Sequence, residues 1–125
     1  MSLRTPLGKA LGRGSAGDGV GHWWQQRLTA MALIPLTAWF VIGLLRRSAA
    51  KFEDVQFWLS QSWPALLALL LVITLAWHSK LGVQVVIEDY VHGKGAKTTL
   101  LVLSTFLHVA AAVAGIFAIV RITLS

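Results

Sequence analysis

Two histidines, a lysine and two adjacent carboxylates stand within the stretch HSKLGVQVVIEDYVHG, His78 to Gly93. The same stretch keeps enough Val, Leu and Ile to be the end of a buried helix, and it follows directly on the uncharged run Trp63 to Trp77. Ionisable groups in hydrocarbon are costly, so they keep a partner or a task. On a helix, Gly82, Val85 and Asp89 follow His78 at four, seven and eleven residues and share its face. His78 and Asp89 are then about 20° apart around the axis and roughly 16 Å apart along it. A glycine one turn from an intramembrane imidazole leaves room for something flat, and imidazole is a strong axial ligand for haem that needs no charge. One histidine does not complete a haem site. The spacing alone leaves two readings open: a haem ligand, or an imidazole hydrogen-bonded to a neighbouring helix. His108, alone in the last apolar run, reads either as a second ligand or as a packing histidine. Glu88-Asp89-Tyr90 reads in its plainest form as a helix end with an interfacial aromatic.

The elements that must position these residues follow from composition. The chain has 125 residues, room for one domain. It is 56% hydrophobic and 13% charged, with a mean hydropathy of +0.69, outside the usual range of soluble domains. Three stretches, Leu28–Leu45, Val55–Ser79 and Thr98–Val120, contain no Asp, Glu, Lys or Arg. A membrane span needs about 20 such residues. Burying three such helices in a soluble protein would take more polar polypeptide than so short a chain has. The expected fold is an all-α integral membrane protein with three transmembrane helices, at about 28–45, 64–89 and 98–120.

The net charge of +6 does not indicate nucleic acid, because the basic residues sit at the ends of apolar runs instead of forming a patch interleaved with aromatics. Cysteine is absent, which removes disulfides, thiolate-held iron–sulfur clusters and Cys-ligated zinc. Any metal or redox group must therefore use histidine or carboxylate, or belong to a partner.

Residues 1–21, with six of the eleven glycines, are expected to form a flexible basic tail; they lack the apolar core of a signal peptide. The membrane domain is expected over 22–125. Trp23 and Trp24 suit the headgroup layer, and Pro35 is a tolerated interruption of the first span. Phe52, Val55 and Leu59 have the spacing of a short interfacial helix, and Pro64 fits the first turn of the second span. From Pro64 to Asp89 is about 39 Å of helix, longer than a hydrocarbon core of about 30 Å, so its far end should protrude. HGKGAK is expected to turn the chain, and Ala110, Ala111, Ala112, Ala114 and Gly115 to pack the third span. Seven of the eleven basic residues lie in the tail, at the start of span one or from Lys80 to the second turn; Arg46, Arg47, Lys51 and Arg121 lie on the other side. The N-terminus is therefore expected in the cytoplasm.

HSKLGVQVVIEDYVHG resembles the signature of the hydrophobic membrane anchor of succinate dehydrogenase, the D-type anchor of complex II, in its alphaproteobacterial and mitochondrial-like form. His78, Gly82, Asp89 and Tyr90 occupy the positions of that signature, and HWWQQRLTA with the three-span layout is similar to the same family. The resemblance covers the chain from about His22 onward. It implies that His78 is one axial ligand of a haem b shared with a sister C-type cytochrome b anchor, which bundles with this chain and supplies the second ligand. It implies that Tyr90 hydrogen-bonds a ubiquinone carbonyl, with Asp89 beside it relaying protons. Electrons would come from an iron–sulfur subunit and a flavoprotein subunit, in the inner membrane of a bacterium. Arg27 fits by position a role beside the haem propionates, with Gly82 as support; the resemblance leaves His22, Lys80 and His92 without a role. The reading from a different class is a non-redox membrane interaction or assembly protein, whose polar residues only bind partner helices.

Overall fold

A computed structural model describes residues 16–48 and 51–125. Among these residues are four helices: α1 (Ala16–Leu45), α2 (Phe52–Ser60), α3 (Ser62–Tyr90) and α4 (Lys94–Leu124). The expected tail lies outside the described residues up to Ser15, whereas residues 16–21 already belong to α1. Three helices are long and apolar enough to cross a membrane, over Gly19–Leu45, Ser62–Tyr90 and Lys94–Leu124. The protein is an all-helical multi-pass membrane protein, and the long helices run beyond the expected spans, α1 at its N-terminal end and α3 and α4 at both ends.

The helices stand in a row. α3 is central, with α1 packed on one side and α4 on the other, and the short α2 leans on α3 and α4. Among the described residues only six hydrophobic side chains are buried. Ala65, Ala68 and Ile119 form the core, with Trp39, Leu59, Leu69 and Val72 against it, at the α2 end of the row. The remaining apolar surface points outward, as it must where lipid or another chain is the solvent.

Local chemistry fixes the ends. α1 runs unbroken through Pro35, which leaves the carbonyl of Met31 without its helical donor. Asp54 accepts from the backbone N–H of Lys51 at 3.0 Å, and Glu53 and Asp54 place negative charge at the start of α2. Gln61 is extended, breaking α2 from α3, and Pro64 sits in the first turn of α3, where its missing N–H costs nothing. The second turn is tighter than HGKGAK implies. Only Val91, His92 and Gly93 are non-helical, and Lys94 opens α4. Lys97 reaches back to donate from Nζ to the Glu88 carbonyl at 3.2 Å, placing a cation at the negative end of α3.

Two glycines mark close approach. A methyl at Gly115 would lie 2.8 Å from Cγ1 of Val72, so Gly115 is where α4 meets α3. A methyl at Gly43 would overlap the Trp58 ring, which is boxed by Trp39 and Phe40 and capped by the Arg47 guanidinium 4.5 Å from its centroid. Of the five small residues expected to pack the third span, Ala112 and Gly115 face inward, while Ala110, Ala111 and Ala114 are exposed.

Candidate functional site

α1 carries one polar stripe. His22, Gln26 and Thr29 follow each other at four and three residues on the half-buried face, and that face meets α3. Thr29 lies opposite His78, with Oγ1 2.9 Å from Nδ1 of the imidazole. Thr29 Oγ1 also has the Gln25 carbonyl at 2.7 Å and the Gln26 carbonyl at 3.1 Å, which can only accept. With its one proton given to a carbonyl, the Thr29 oxygen is left to accept from Nδ1 of His78. A neutral imidazole protonated at Nδ1 has its lone pair at Nε2, and no hydrogen bond reaches that nitrogen among the described residues. Of the two sequence readings of His78, the structure shows the hydrogen bond to a neighbouring helix, and Nε2 is the nitrogen that bond leaves over.

One turn further along α3, Gly82 faces α1. A Cβ there would meet only Nε2 of Gln26, at 3.8 Å. Between the helices lies a cleft of about 450 Å³ lined by Gly19, His22, Trp23, Gln26, Gly82 and Val85. Two atoms of its lining residues, Nε2 of His22 and Oε1 of Gln26, are buried without a hydrogen-bond partner. Orphaned atoms of this kind are rare in a folded protein and ask for a bound group or an ordered water. A free imidazole nitrogen, a glycine wall and unpaired polar atoms one helical turn away fit a flat, polar-edged group with a metal at its centre.

The other expected site residues are distributed as follows. Asp89 and Tyr90 are both exposed in the last turn of α3, Tyr90 at 79%. The Tyr90 hydroxyl has no hydrogen-bond partner among the described residues, so its proton is free to be given. Arg27 does not line the cleft; it is exposed, with its guanidinium 5.2 Å from the ring centroid of Trp23, a wall of the cleft. His108 lies on the opposite side of α3. Its Nδ1 donates to the Ser104 carbonyl at 2.7 Å and its Nε2 accepts from the Ser79 hydroxyl at 3.0 Å. Both nitrogens are engaged, so His108 is a packing histidine that ties α4 to α3. His92 is exposed in the turn. Among the described residues no three metal-binding side chains converge.

Thr29 and Gln26 are the residues that sequence reasoning missed, and His22 is the one it left unassigned. A signal was available. Three polar residues at helical spacing on one face of an apolar helix mark the side that meets a polar neighbour.

A family model described as succinate dehydrogenase/fumarate reductase transmembrane subunit matches residues 1–119. The succinate dehydrogenase hydrophobic membrane anchor subunit of Paracoccus denitrificans is 32% identical over 124 residues, 99% of this chain and 95% of its own. The protein of the same name from Rickettsia bellii is 33% identical over 100 residues, 80% of each chain. The succinate dehydrogenase membrane anchor subunit of Reclinomonas americana is 29% identical over 80 residues, 62% of this chain and 67% of its own.

Proposed function

Because the chain belongs to the succinate dehydrogenase/fumarate reductase transmembrane subunit family, we propose that it anchors a succinate:ubiquinone oxidoreductase, complex II, in the bacterial inner membrane. In this reading it pairs with a C-type cytochrome b anchor, and the two carry an iron–sulfur subunit and a flavoprotein subunit. A haem b shared between the two anchors would be held on this side by Nε2 of His78, with a further ligand from the sister anchor. A bound haem would add a one-electron store near the quinone site.

The observation that carries this reading is the Thr29–His78 hydrogen bond, which commits Nδ1 and leaves Nε2 basic. Thr29 orients the ring and selects its tautomer. Gly82 and Val85 shape the cleft wall, and His22 and Gln26 offer it their unpaired polar atoms. At the end of α3, Tyr90 hydrogen-bonds a ubiquinone carbonyl through its phenolic O–H as charge develops there. Asp89 beside it moves protons, since reducing a quinone to a quinol takes up two electrons and two protons. The excess of basic residues on the N-terminal side puts that side in the cytoplasm.

The test is the absorbance spectrum of the complex purified through this chain. A b-type spectrum that His78→Ala weakens or abolishes, and that His108→Ala and His92→Ala leave intact, is the expected result. Survival of the spectrum in His78→Ala with loss in His108→Ala would transfer the ligand role to α4. A complex without haem absorbance and without quinone activity would leave a non-redox assembly role.

A further inference from the structure

Lys80 has a place in the fold that the proposed function does not use. It stands where α3 meets α4, facing a groove of about 200 Å³ lined mainly by Ile73, Ala76, Trp77, Val109 and Ala112. Its depth can be read from the aromatic belts. Trp23 lines the same cleft as Gly82 and Val85, so the belt at the N-terminal end of α1 lies at the level of those α3 residues. Trp63, 75% exposed, marks the other belt. From Trp63 to Gly82–Val85 is roughly 29–33 Å of helix, the thickness of a hydrocarbon core. Lys80 is therefore two to five residues inside the boundary, roughly 3–8 Å.

A side chain so placed can extend its ammonium to the headgroups. In this structure Nζ instead lies 4.9 Å from the ring centroid of Trp77, one turn deeper, beside the groove. A cation there calls for an anion, and α4, the other wall of the groove, contains no Asp or Glu. Glu88 and Asp89 lie on α3 itself, roughly 12 Å or more further along, and the Glu88 carboxylate accepts from Gln84. His108, which also lines the groove, has both nitrogens engaged. The groove thus has an apolar wall, one positive charge at its rim and an opening to the bilayer.

We propose that the groove between α3 and α4 binds one anionic phospholipid, with its phosphate on Lys80 and an acyl chain along Ile73, Ala76 and Val109. Charge complementarity and depth together select this occupant. The phosphate layer lies just beyond Lys80, an acyl chain descends from it into hydrocarbon, and the groove runs in that direction. Basic pockets between transmembrane helices are known to capture such headgroups.

The proposal is tested on the full chain purified in mild detergent with whatever co-purifies, by quantifying retained phospholipid per chain by mass spectrometry. One anionic phospholipid per chain is expected for the native protein and for Lys80→Arg, and its loss for Lys80→Met. Unchanged retention in Lys80→Met would overturn the proposal. So would unchanged lipid with loss of a co-purifying polypeptide, which would assign Lys80 to a partner's carboxylate. A second measurement needs no variant. The native protein, stripped of lipid, should recover several degrees of Tm with phosphatidylglycerol and not with phosphatidylcholine or inorganic phosphate. Equal recovery with all three would overturn it as well.

Discussion

Thr29→Val would keep the shape of the side chain and remove only the oxygen that accepts from His78. Outer-shell partners of a metal-binding histidine are typically worth about 10–100-fold in metal affinity or activity. Thr29→Val is therefore expected to lower haem retention by about that factor, and Thr29→Ser to restore it; titrating the b-type absorbance against added haem measures both. Tyr90→Phe asks the corresponding question at the end of α3, since the ring stays and only the donor goes. A donor acting in the transition state is worth about 2.7–4 kcal/mol at the strong end, and less where partner subunits supply others. Succinate-to-ubiquinone transfer should fall markedly, while succinate oxidation with an acceptor that takes electrons before the quinone stays near normal. Asp89→Asn should act the same way but more mildly. If both activities fell together the damage would be to assembly, and if neither fell Tyr90 would be an interfacial aromatic only. Much of this site was legible in the sequence. His78, Gly82, Asp89 and Tyr90 lie on one helix, and spacing on one helix is readable directly. Thr29 was not, because its role depends on how far α1 slides along α3, and that register comes from packing.

At the scale of elements, the meeting of α3 and α4 rests on Gly115. A Cβ there would press on Val72, whose branched side chain is stiff at χ1 and cannot turn away cheaply. Gly115→Ala should destabilise the folded chain by about 1–3 kcal/mol, the usual range for overpacking. Val72→Ala in the same chain should recover most of that loss, so the two changes combine non-additively. Thermal unfolding of the purified protein in detergent, with both single variants and the double, checks this. Additive losses would place the α3–α4 contact elsewhere. The three spans were legible because twenty uncharged apolar residues have few other uses. The boundaries were less so. Glycines in the tail suggested coil up to Gly21, yet the helix begins at Ala16, and KGAK is the first turn of α4 although its two glycine-bracketing lysines resemble a loop. Inside a row of packed helices, tertiary contact overrides a weak propensity. The small residues of the third span were countable in the sequence, but which of them face α3 depends on the rotation of the helix: Ala111, Ala112 and Gly115 line a groove with α3 residues.

For the molecule as a whole, the two ends of the row carry different charge, and orientation should follow. The N-terminus and the Val91–Gly93 turn are expected in the cytoplasm, with Ser48 and Ser125 outside. Single cysteines at Ser48 and Lys94 can be labelled from outside without interference, since the native chain has no cysteine. Labelling at Ser48 alone is the expected outcome, and labelling at Lys94 alone would reverse the orientation. The Thr29–His78 bond also sets a sequence of events in time. As the chain leaves the ribosome, His78 enters the membrane with its proton uncommitted, and the imidazole acquires a defined tautomer only when the second long helix has come to rest against the first. Nothing in that bond involves α4. A nascent chain halted after the Val91–Gly93 turn would already hold both partners of the Thr29–His78 bond.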